Sequence, residues 1–479
     1  MKRLSRFLGV IIIIIWTSIT AQTVSLDDAI ELALKNQPGI QAEKAGVKSA
    51  DFLKRKAFGR FLPSIEMSVN YTHLKEDLIL DLNPIREGIL QLHAQGEVTH
   101  SNLANLITYG VPLTPEQQQA VYAGAYQQLD ALFPAFSETL KKQNYWQGHV
   151  QVFQPLFTWG KIWSAYKIAS IDHEISKTKL SLKEQQVISE VVQAYFLNQF
   201  LSQLVEVRTK AVETLETHER HAKRMAEEGL IAKVEYLRTS TALEKAKVEL
   251  DKTQNDLAVA QQFLANKIGI DHITFTDPIA FPGYVPKLDS LLRDLDLNQP
   301  YLKQLSMTSQ KLRKKIHIDL SNNLPDIYAF GKYELFKDDL SILEPEWAVG
   351  IGLKWDIFSG FQKYHQIRSD KYLKKKVDLT RQELKNDLVV LIKKTYSEME
   401  NAKRHYHAMQ KTKELAMENF KLNSKKFDTG LGTSLEVLDA ELTLRQVEIA
   451  LLKDIYDYNS KLAELLVLTG NAHQIRDWF

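Results

Sequence analysis

The sequence predicts a mainly α protein built as an internal tandem repeat, each copy carrying one β-hairpin and one long antiparallel helical hairpin. Three observations carry this. First, the stretch from Pro155 to Gly269 recurs without a gap 201 residues later: Pro155-Leu156-Phe157-Thr158 falls on Asp356-Ile357-Phe358-Ser359, Gly229-Leu230 on Gly430-Leu431, Glu235 on Glu436 and Gly269 on Gly470. A second register, offset by 262, lays Asn36-Gln37-Pro38 on Asn298-Gln299-Pro300 and Leu62-Pro63 on Leu324-Pro325. Self-similarity of this kind means one structural unit used twice. The difference of the offsets, 262 − 201 = 61, is the number of extra residues that the first copy holds between Pro63 and Pro155. Second, all 13 prolines avoid residues 156–277 and 346–479, and Gly229 is the only glycine between Lys161 and Ile268, as Gly430 and Gly432 are between Phe361 and Thr469. Chain so free of breakers reads as very long helices with one interruption each. Third, the hydrophobic period switches from 3.6 to 2 ahead of each long helix.

Composition narrows the chemistry. Without cysteine there is neither a disulfide framework nor a thiolate metal site, and no N-terminal Cys to acylate. Lys and Arg number 61 against 59 Asp and Glu, so no global field is present to hold a nucleic acid. Lys2, Arg3 and Arg6 precede an apolar run from Phe7 to Trp16 and then Thr17-Ser18-Ile19-Thr20-Ala21. This is the pattern of a secretory signal peptide cut after Ala21. Its removal leaves 61 − 3 = 58 basic residues against 59 acidic ones, a net charge of −1. The run is too short for a membrane anchor, which needs about 20 apolar residues. No other helix-length apolar run exists, so any further membrane insertion has to use strands.

The elements follow in order. Ser25 to Lys56 is helical, with Ser25 as N-cap, Asp28 at the third helical position, and a stripe of Leu26, Ala29, Ile30, Ala33 and Leu34; Asn36-Gln37-Pro38 interrupts it. Ile65, Met67, Val69 and Tyr71 then alternate with polar residues, and Gly148, Val150 and Val152 do so in the partner strand. In the second copy Ile327, Ala329, Gly331 and Tyr333 alternate with Tyr328, Phe330, Lys332 and Glu334, ahead of Trp347, Val349, Ile351, Leu353 and Trp355. Each strand has about ten residues, enough for a tilted strand to cross a bilayer, and Tyr71, Trp146, Tyr333, Trp347 and Trp355 stand near strand ends, where aromatic girdles belong. An open sheet edge is untenable in lipid, because its backbone groups have no water to bind. If these strands span a membrane, four of them do not close a barrel and several copies of the chain must share one; the other reading is an ordinary half-buried antiparallel sheet in a soluble protein.

In the second long helix Leu384, Leu388, Leu391, Thr395, Met399, Ala402 and Tyr406 step by four and three; Val187, Val191, Ala194, Leu201, Val205, Val212 and Leu215 do the same in the first. Six steps in 22 residues give 3.67 per turn, a nearly straight or slightly right-handed stripe. A helix from Trp163 to Glu228 runs about 100 Å. Gly229 and Gly430 end the long helices as C-caps, and return helices follow over Val234–Lys267 and Leu435–Thr469. The domain expectation is a signal peptide at 1–21 and a first copy at 22–270, with strands near 64–73 and 146–155, an insertion at 73–145 and a helical hairpin at 163–269. A linker at 271–287 precedes a second copy at 288–470, with strands near 326–335 and 347–357, a hairpin at 363–469, and a C-terminal tail at 471–479. Within the insertion, Thr114-Pro115-Glu116-Gln117 starts a helix that continues through amphipathic Ala120 to Phe136, an elaborated outer loop.

Enzymatic motifs are missing. His218 and His221 enclose Glu219 in a His-Glu-x-His spacing that lacks the metalloprotease pattern, and His405 and His407 leave a helix on different sides; all four read as solvated helix surface. No Gly-rich phosphate loop, Gly-x-Ser-x-Gly or converging carboxylate pair occurs. The chain is not expected to be an enzyme or to need a cofactor or metal.

The order of helix, strand pair and helical hairpin, repeated behind a signal peptide, resembles the outer-membrane efflux protein family of TolC-like channels. Pro155-Leu156-Phe157 and Asp356-Ile357-Phe358-Ser359-Gly360 look like its strand-to-helix turns, and Gly430-Leu431-Gly432-Thr433-Ser434-Leu435-Glu436-Val437-Leu438-Asp439-Ala440 looks like its helix-tip motif. The resemblance covers nearly all of the mature chain. It implies a homotrimer in outer-membrane lipid, in which four strands per protomer make a twelve-stranded β-barrel continued by an α-barrel in the periplasm. It also implies a periplasmic adaptor protein and an inner-membrane pump of the RND, ABC or major-facilitator (MFS) type. By resemblance Glu436 and Asp439 form acidic rings at a periplasmic gate, with Glu235 as first-copy counterpart, while Gly229, Leu230, Gly430 and Leu431 are adaptor contacts at the hairpin tips. The chain departs from the family pattern at Phe427, where a tyrosine closes a hydrogen bond, and at Gly432, where an arginine stands. That departure implies a gate closed by packing and charge repulsion. The function expected is a passive exit duct of a tripartite efflux or type I secretion system; the alternative is a secreted coiled-coil scaffold or adhesin whose strands form a small soluble sheet.

Overall fold

A computed structural model describes residues 22–270, 273–275, 278–280 and 287–477; the expected signal peptide and most of the expected linker lie outside the described residues. In chain order the elements are β1 (Gln22–Val24), α1 (Leu26–Asn36), α2 (Pro38–Gly59), β2 (Ser64–His73), β3 (Leu78–Asp81), α3 (Asn83–Tyr109), α4 (Pro115–Leu132), β4 (Ser137–Lys141) and β5 (Asn144–Phe157). They continue with α5 (Lys161–Glu227), α6 (Lys233–Ile268), β6 (Ile273–Phe275), α7 (Leu288–Asn298), α8 (Pro300–Ser321), β7 (Asp326–Glu334), β8 (Trp347–Lys354), α9 (Gln362–Asp428) and α10 (Ser434–Leu468). The described residues form two compact units: a helical one within 22–57, 164–317 and 364–477, and one of 58–163 and 318–363 that holds the four-stranded sheet and the insertion.

The helical unit shows the duplication in its core. Ser25 caps α1 through a capping box with Asp28, and α1 buries Ala29, Ile30 and Ala33 against Val187, Val191 and Phe196 of α5 and Leu264 of α6. In the second copy Leu291 and Leu295 of α7 pack on Leu388 and Ile392 of α9, with Tyr458, Leu462 and Leu465 of α10. The interruption Asn36-Gln37-Pro38 has a purpose that the sequence does not display. The Asn36 side chain donates to the Ile268 carbonyl at 2.9 Å and Gln37 to the Lys267 carbonyl at 2.8 Å, satisfying the last turn of α6. One expected seam residue is corrected: Leu391 is exposed and the neighbouring Ile392 is fully buried, so the stripe runs Leu388, Ile392, Thr395, Met399. Both residues are apolar, and which one α7 covers is decided by the crossing of the helices, not by their period.

In the β unit the sheet order is β2-β5-β7-β8, antiparallel throughout, so the two hairpins join through β5 and β7, and β2 and β8 are the outer strands. The register places Ile65, Val152, Gly331 and Val349 in one row across all four strands and Met67, Val150, Tyr333 and Trp347 in the next. The opposite face carries Glu66, Gln151, Lys332 and Ala348 in a row. The apolar face is open: Ile65 is 72% exposed, and Val349 and Ile351 are 73% exposed each. At one end of that face Tyr71 lies 5.1 Å from Trp146, and Trp146 5.9 Å from Phe336, between ring centroids. On the polar face the rings of Tyr328 and Phe330 lie over Gly352 and Gly350; a Cβ at Gly352 would stand 2.4 Å from the Tyr328 ring.

The strand-to-helix turns of the two copies share one backbone solution. Trp159 and Gly160 have φ of 51° and 73°, and Gly360 and Phe361 have 62° and 61°, so each turn contains two consecutive left-handed residues. The Trp159 indole N–H donates to the Pro325 carbonyl at 2.9 Å, which fixes the first turn.

The insertion is a helical hairpin, α3 and α4, on the antiparallel ribbon of β3 and β4. Thr114 caps α4 through a capping box with Gln117, with Pro115 at the first position, and α4 stops at Leu132, short of the expected Phe136. Helix α3, of 27 residues, is an element that sequence reasoning missed. Its N-cap is Leu82, which has no capping side chain, and Gly88 and Gly96 interrupt its pattern.

Candidate functional site at the hairpin tips

Both long helices end in the same way. The Leu230 N–H donates to the Met225 carbonyl at 2.8 Å, and the Leu431 N–H to the Lys426 carbonyl at 2.9 Å, across Gly229 and Gly430, which both have φ of 74°. These are Schellman motifs, which need a left-handed residue after the last helical turn. Each throws a leucine outward, and Leu431 is 84% exposed.

After the turn the copies diverge. Thr433 caps α10, accepting from the Glu436 N–H, while the Thr433 N–H donates to Glu436 Oε2 at 2.9 Å. The matching N-cap of α6 is Ala232, which has no side chain to serve. Glu235 instead accepts from Arg238 at 2.9 Å, the residue that stands where Asp439 stands in the second copy. Glu436 and Asp439 are both exposed, one turn apart on one face of α10. A Cβ at Gly432 would meet Lys426 Cβ at 3.0 Å and Glu436 Oε2 at 3.3 Å, so the turn leaves little room for a longer side chain.

Phe427 is only 1% exposed and forms a small core with Ala222 and Met225 of α5 and Val437 of α10. His218 and His221 stand edge-on to its ring, with centroids 4.7 and 5.6 Å away. His218 Nε2 is 2.9 Å from the hydroxyl of Ser434, the first residue of α10, and His221 Nδ1 is 3.2 Å from Asp428. Burial, and then the charge of His221, pushes His218 down to about 4, against weaker opposing effects of Asp428 and Ser434. His218, His221 and Asp428 border a pocket of about 410 Å³ that also takes in Glu213, Thr217 and Phe420. The two histidines are thus half-buried polar links between the first and second hairpins, not the solvated surface that the sequence suggests. Packing of Phe427 is supplemented by hydrogen bonding, supplied by residues other than those of the family pattern. His405 is likewise paired, lying 2.6 Å from Asp454 of α10.

Among the described residues no group of three or more His, Asp or Glu is placed to hold a metal ion. No helix among them is long and apolar enough to cross a membrane.

No curated protein matches the sequence. Solved outer-membrane channels share its fold. The outer membrane protein VceC from Vibrio cholerae is similar over 93% of this chain and 96% of its own, at 14% identity and a TM-score of 0.68. The CmeC outer membrane channel of Campylobacter jejuni is similar over 95% and 90%, at 14% identity and 0.68. The open state of the MtrE outer membrane channel of Neisseria gonorrhoeae is similar over 93% and 89%, again at 14% and 0.68. The family model for outer membrane efflux proteins matches residues 117–269 and 291–471, one stretch in each copy. Those stretches make up more than half of the sequence, and the chain belongs to the outer membrane efflux protein family.

Proposed function

We propose that this outer-membrane efflux channel is the passive exit duct of a tripartite efflux system or a type I secretion system, acting as a homotrimer after cleavage of residues 1–21. The observation that carries the reading is the four-stranded sheet: one face is apolar and open in every strand, and the outer edges of β2 and β8 pair with no strand among the described residues. A soluble scaffold would leave that face as an aggregation site. In lipid the face is in its proper solvent, but the edges are not, because unpaired backbone groups there cost several kcal/mol each. Pairing β2 of one copy with β8 of the next removes both edges, and three copies give twelve strands.

On this reading the helical hairpins lie in the periplasm. Exposed Leu230 and Leu431, beside Gly229 and Gly430, offer apolar contacts to a periplasmic adaptor, through which an inner-membrane pump of the RND, ABC or MFS type supplies the energy. Glu436 and Asp439, repeated by threefold symmetry, concentrate negative charge at the gate and favour cations. Phe427, together with the histidine links, sets how firmly the tips hold. Glu235 is neutralised by Arg238 and contributes less to that field.

Cell fractionation tests the duct. Recovery in the outer membrane as a detergent-resistant trimer that conducts in planar bilayers is the expected result, and a soluble extended monomer would overturn it. Deleting the gene and comparing retained small molecules with retained proteins separates efflux from type I secretion.

A further inference from the structure

The insertion carries an apolar stripe that nothing among the described residues covers. On α3, Ile85, Ile89, Leu92, Leu103 and Leu106 are all exposed, while Leu90 and Ala94, on the opposite side, are fully buried against α4. At about 100° per residue the exposed positions share one face. With Gly96 and Thr99 between them they step by 4, 3, 4, 3, 4 and 3 from Ile85 to Leu106. That 3.5-residue spacing is a coiled-coil seam, and it runs for about 30 Å at 1.5 Å per residue. It contrasts with the 3.67 spacing of the long helices, so it is a separate device.

We propose that the α3 helices of three copies of this chain meet seam to seam on the threefold axis as a parallel bundle, capping the mouth of the barrel. The inference rests on the trimer reading. Threefold symmetry sets the same residue of each copy at the same height, which is the in-register, parallel arrangement that a heptad seam requires. The insertion also springs from β2, the outer strand completed by the neighbour's β8, so the bundle continues the contact between subunits that closes the sheet. No charged residue occupies a seam position, so three copies meet without opposing like charges. A Cβ at Gly96, in the middle of the stripe, would meet nothing within 4 Å, which leaves room for close approach. The insertion joins β2 and β5 at the ends remote from α5, on the side where cargo would leave.

The chain has no cysteine, so single cysteines report contacts directly. Full-length Leu92→Cys and Leu103→Cys proteins, treated with copper phenanthroline in native outer membranes, are expected to give covalent dimers on non-reducing gels. Glu97→Cys, on α3 but off the stripe, is expected to remain unlinked. Native mass spectrometry of the same preparations reads the assembly independently. A trimer with no link at positions 92 and 103, or with equal linking at 97, overturns the bundle and leaves the trimer standing. A monomer overturns the trimer reading and the bundle with it.

Discussion

The ring of Phe427 stands edge-on to that of His218, with centroids 4.7 Å apart and planes at 64°, so the two hairpins of one chain share a core at their tips. Truncating a fully buried phenylalanine costs about 3–5 kcal/mol. Phe427→Ala is therefore expected to loosen the tips, raising single-channel conductance and speeding tryptic cleavage at Lys425 and Lys426, while Phe427→Leu changes both less. Equal conductance and digestion in Phe427→Ala would show that the core does not hold the tips.

Acid should act at the same place. His218 is held down to about 4 by burial, well below the ordinary 6.5 of an unfolded histidine. Its neutral form is the one that the folded tip favours, so the unfolded state binds more protons between those values. The contribution of His218 to stability is complete above about 6.5 and is lost as pH falls towards 4. Hydrogen exchange at residues 425–436, corrected for intrinsic rates, should be faster at pH 5 than at pH 7.5, and His218→Gln should remove most of that difference. An unchanged pH response in His218→Gln would assign it elsewhere.

Glu436 has two roles that substitution can separate. As capping-box partner it satisfies the Thr433 N–H; as a carboxylate it contributes to the proposed ring. Glu436→Gln with Asp439→Asn retains the cap and should lower cation preference, read as a smaller reversal potential across a KCl gradient. Glu436→Ala should also leave the Thr433 N–H without its capping-box partner and lower the thermal unfolding temperature. A reversal potential that does not move in the Gln/Asn pair removes these residues from the gate.

The sheet makes a sharper steric claim. A Cβ at Gly352 would meet the Tyr328 ring at 2.4 Å, whereas one at Gly331 would meet only Val349, at 3.6 Å. Overpacking of this sort costs about 1–3 kcal/mol. Gly352→Ala is expected to lower the temperature at which the trimer dissociates on gels, and Gly331→Ala to leave it nearly unchanged. Similar behaviour of the two variants would mean that Tyr328 moves aside freely.

Much of this architecture is legible in the sequence because two periods, 2 and 3.6, are written in long uninterrupted runs, twice. The alternation of Ile65, Met67, Val69 and Tyr71 identifies the lipid-type face without any knowledge of its partner strand. The tip is legible only in part. Thr433 and Glu436 carry a local capping signal, but the link of His218 to Ser434 joins residues 216 positions apart, and no local pattern reports it. Helix α3 escaped because Leu82 cannot cap it and two glycines fall within it. The choice of Ile392 over Leu391 depends on where α7 crosses, which periodicity cannot resolve.

The paired turns at Trp159-Gly160 and Gly360-Phe361 bear on how the copies have aged. A left-handed conformation costs a residue with a side chain about 1–2 kcal/mol, and one such residue remains in each turn, second in one copy and first in the other. Since duplication, glycine has changed places while the pair of left-handed residues has stayed at the same two positions of the repeat. Descent in this molecule has preserved a backbone conformation more faithfully than the amino acid that makes the conformation easy.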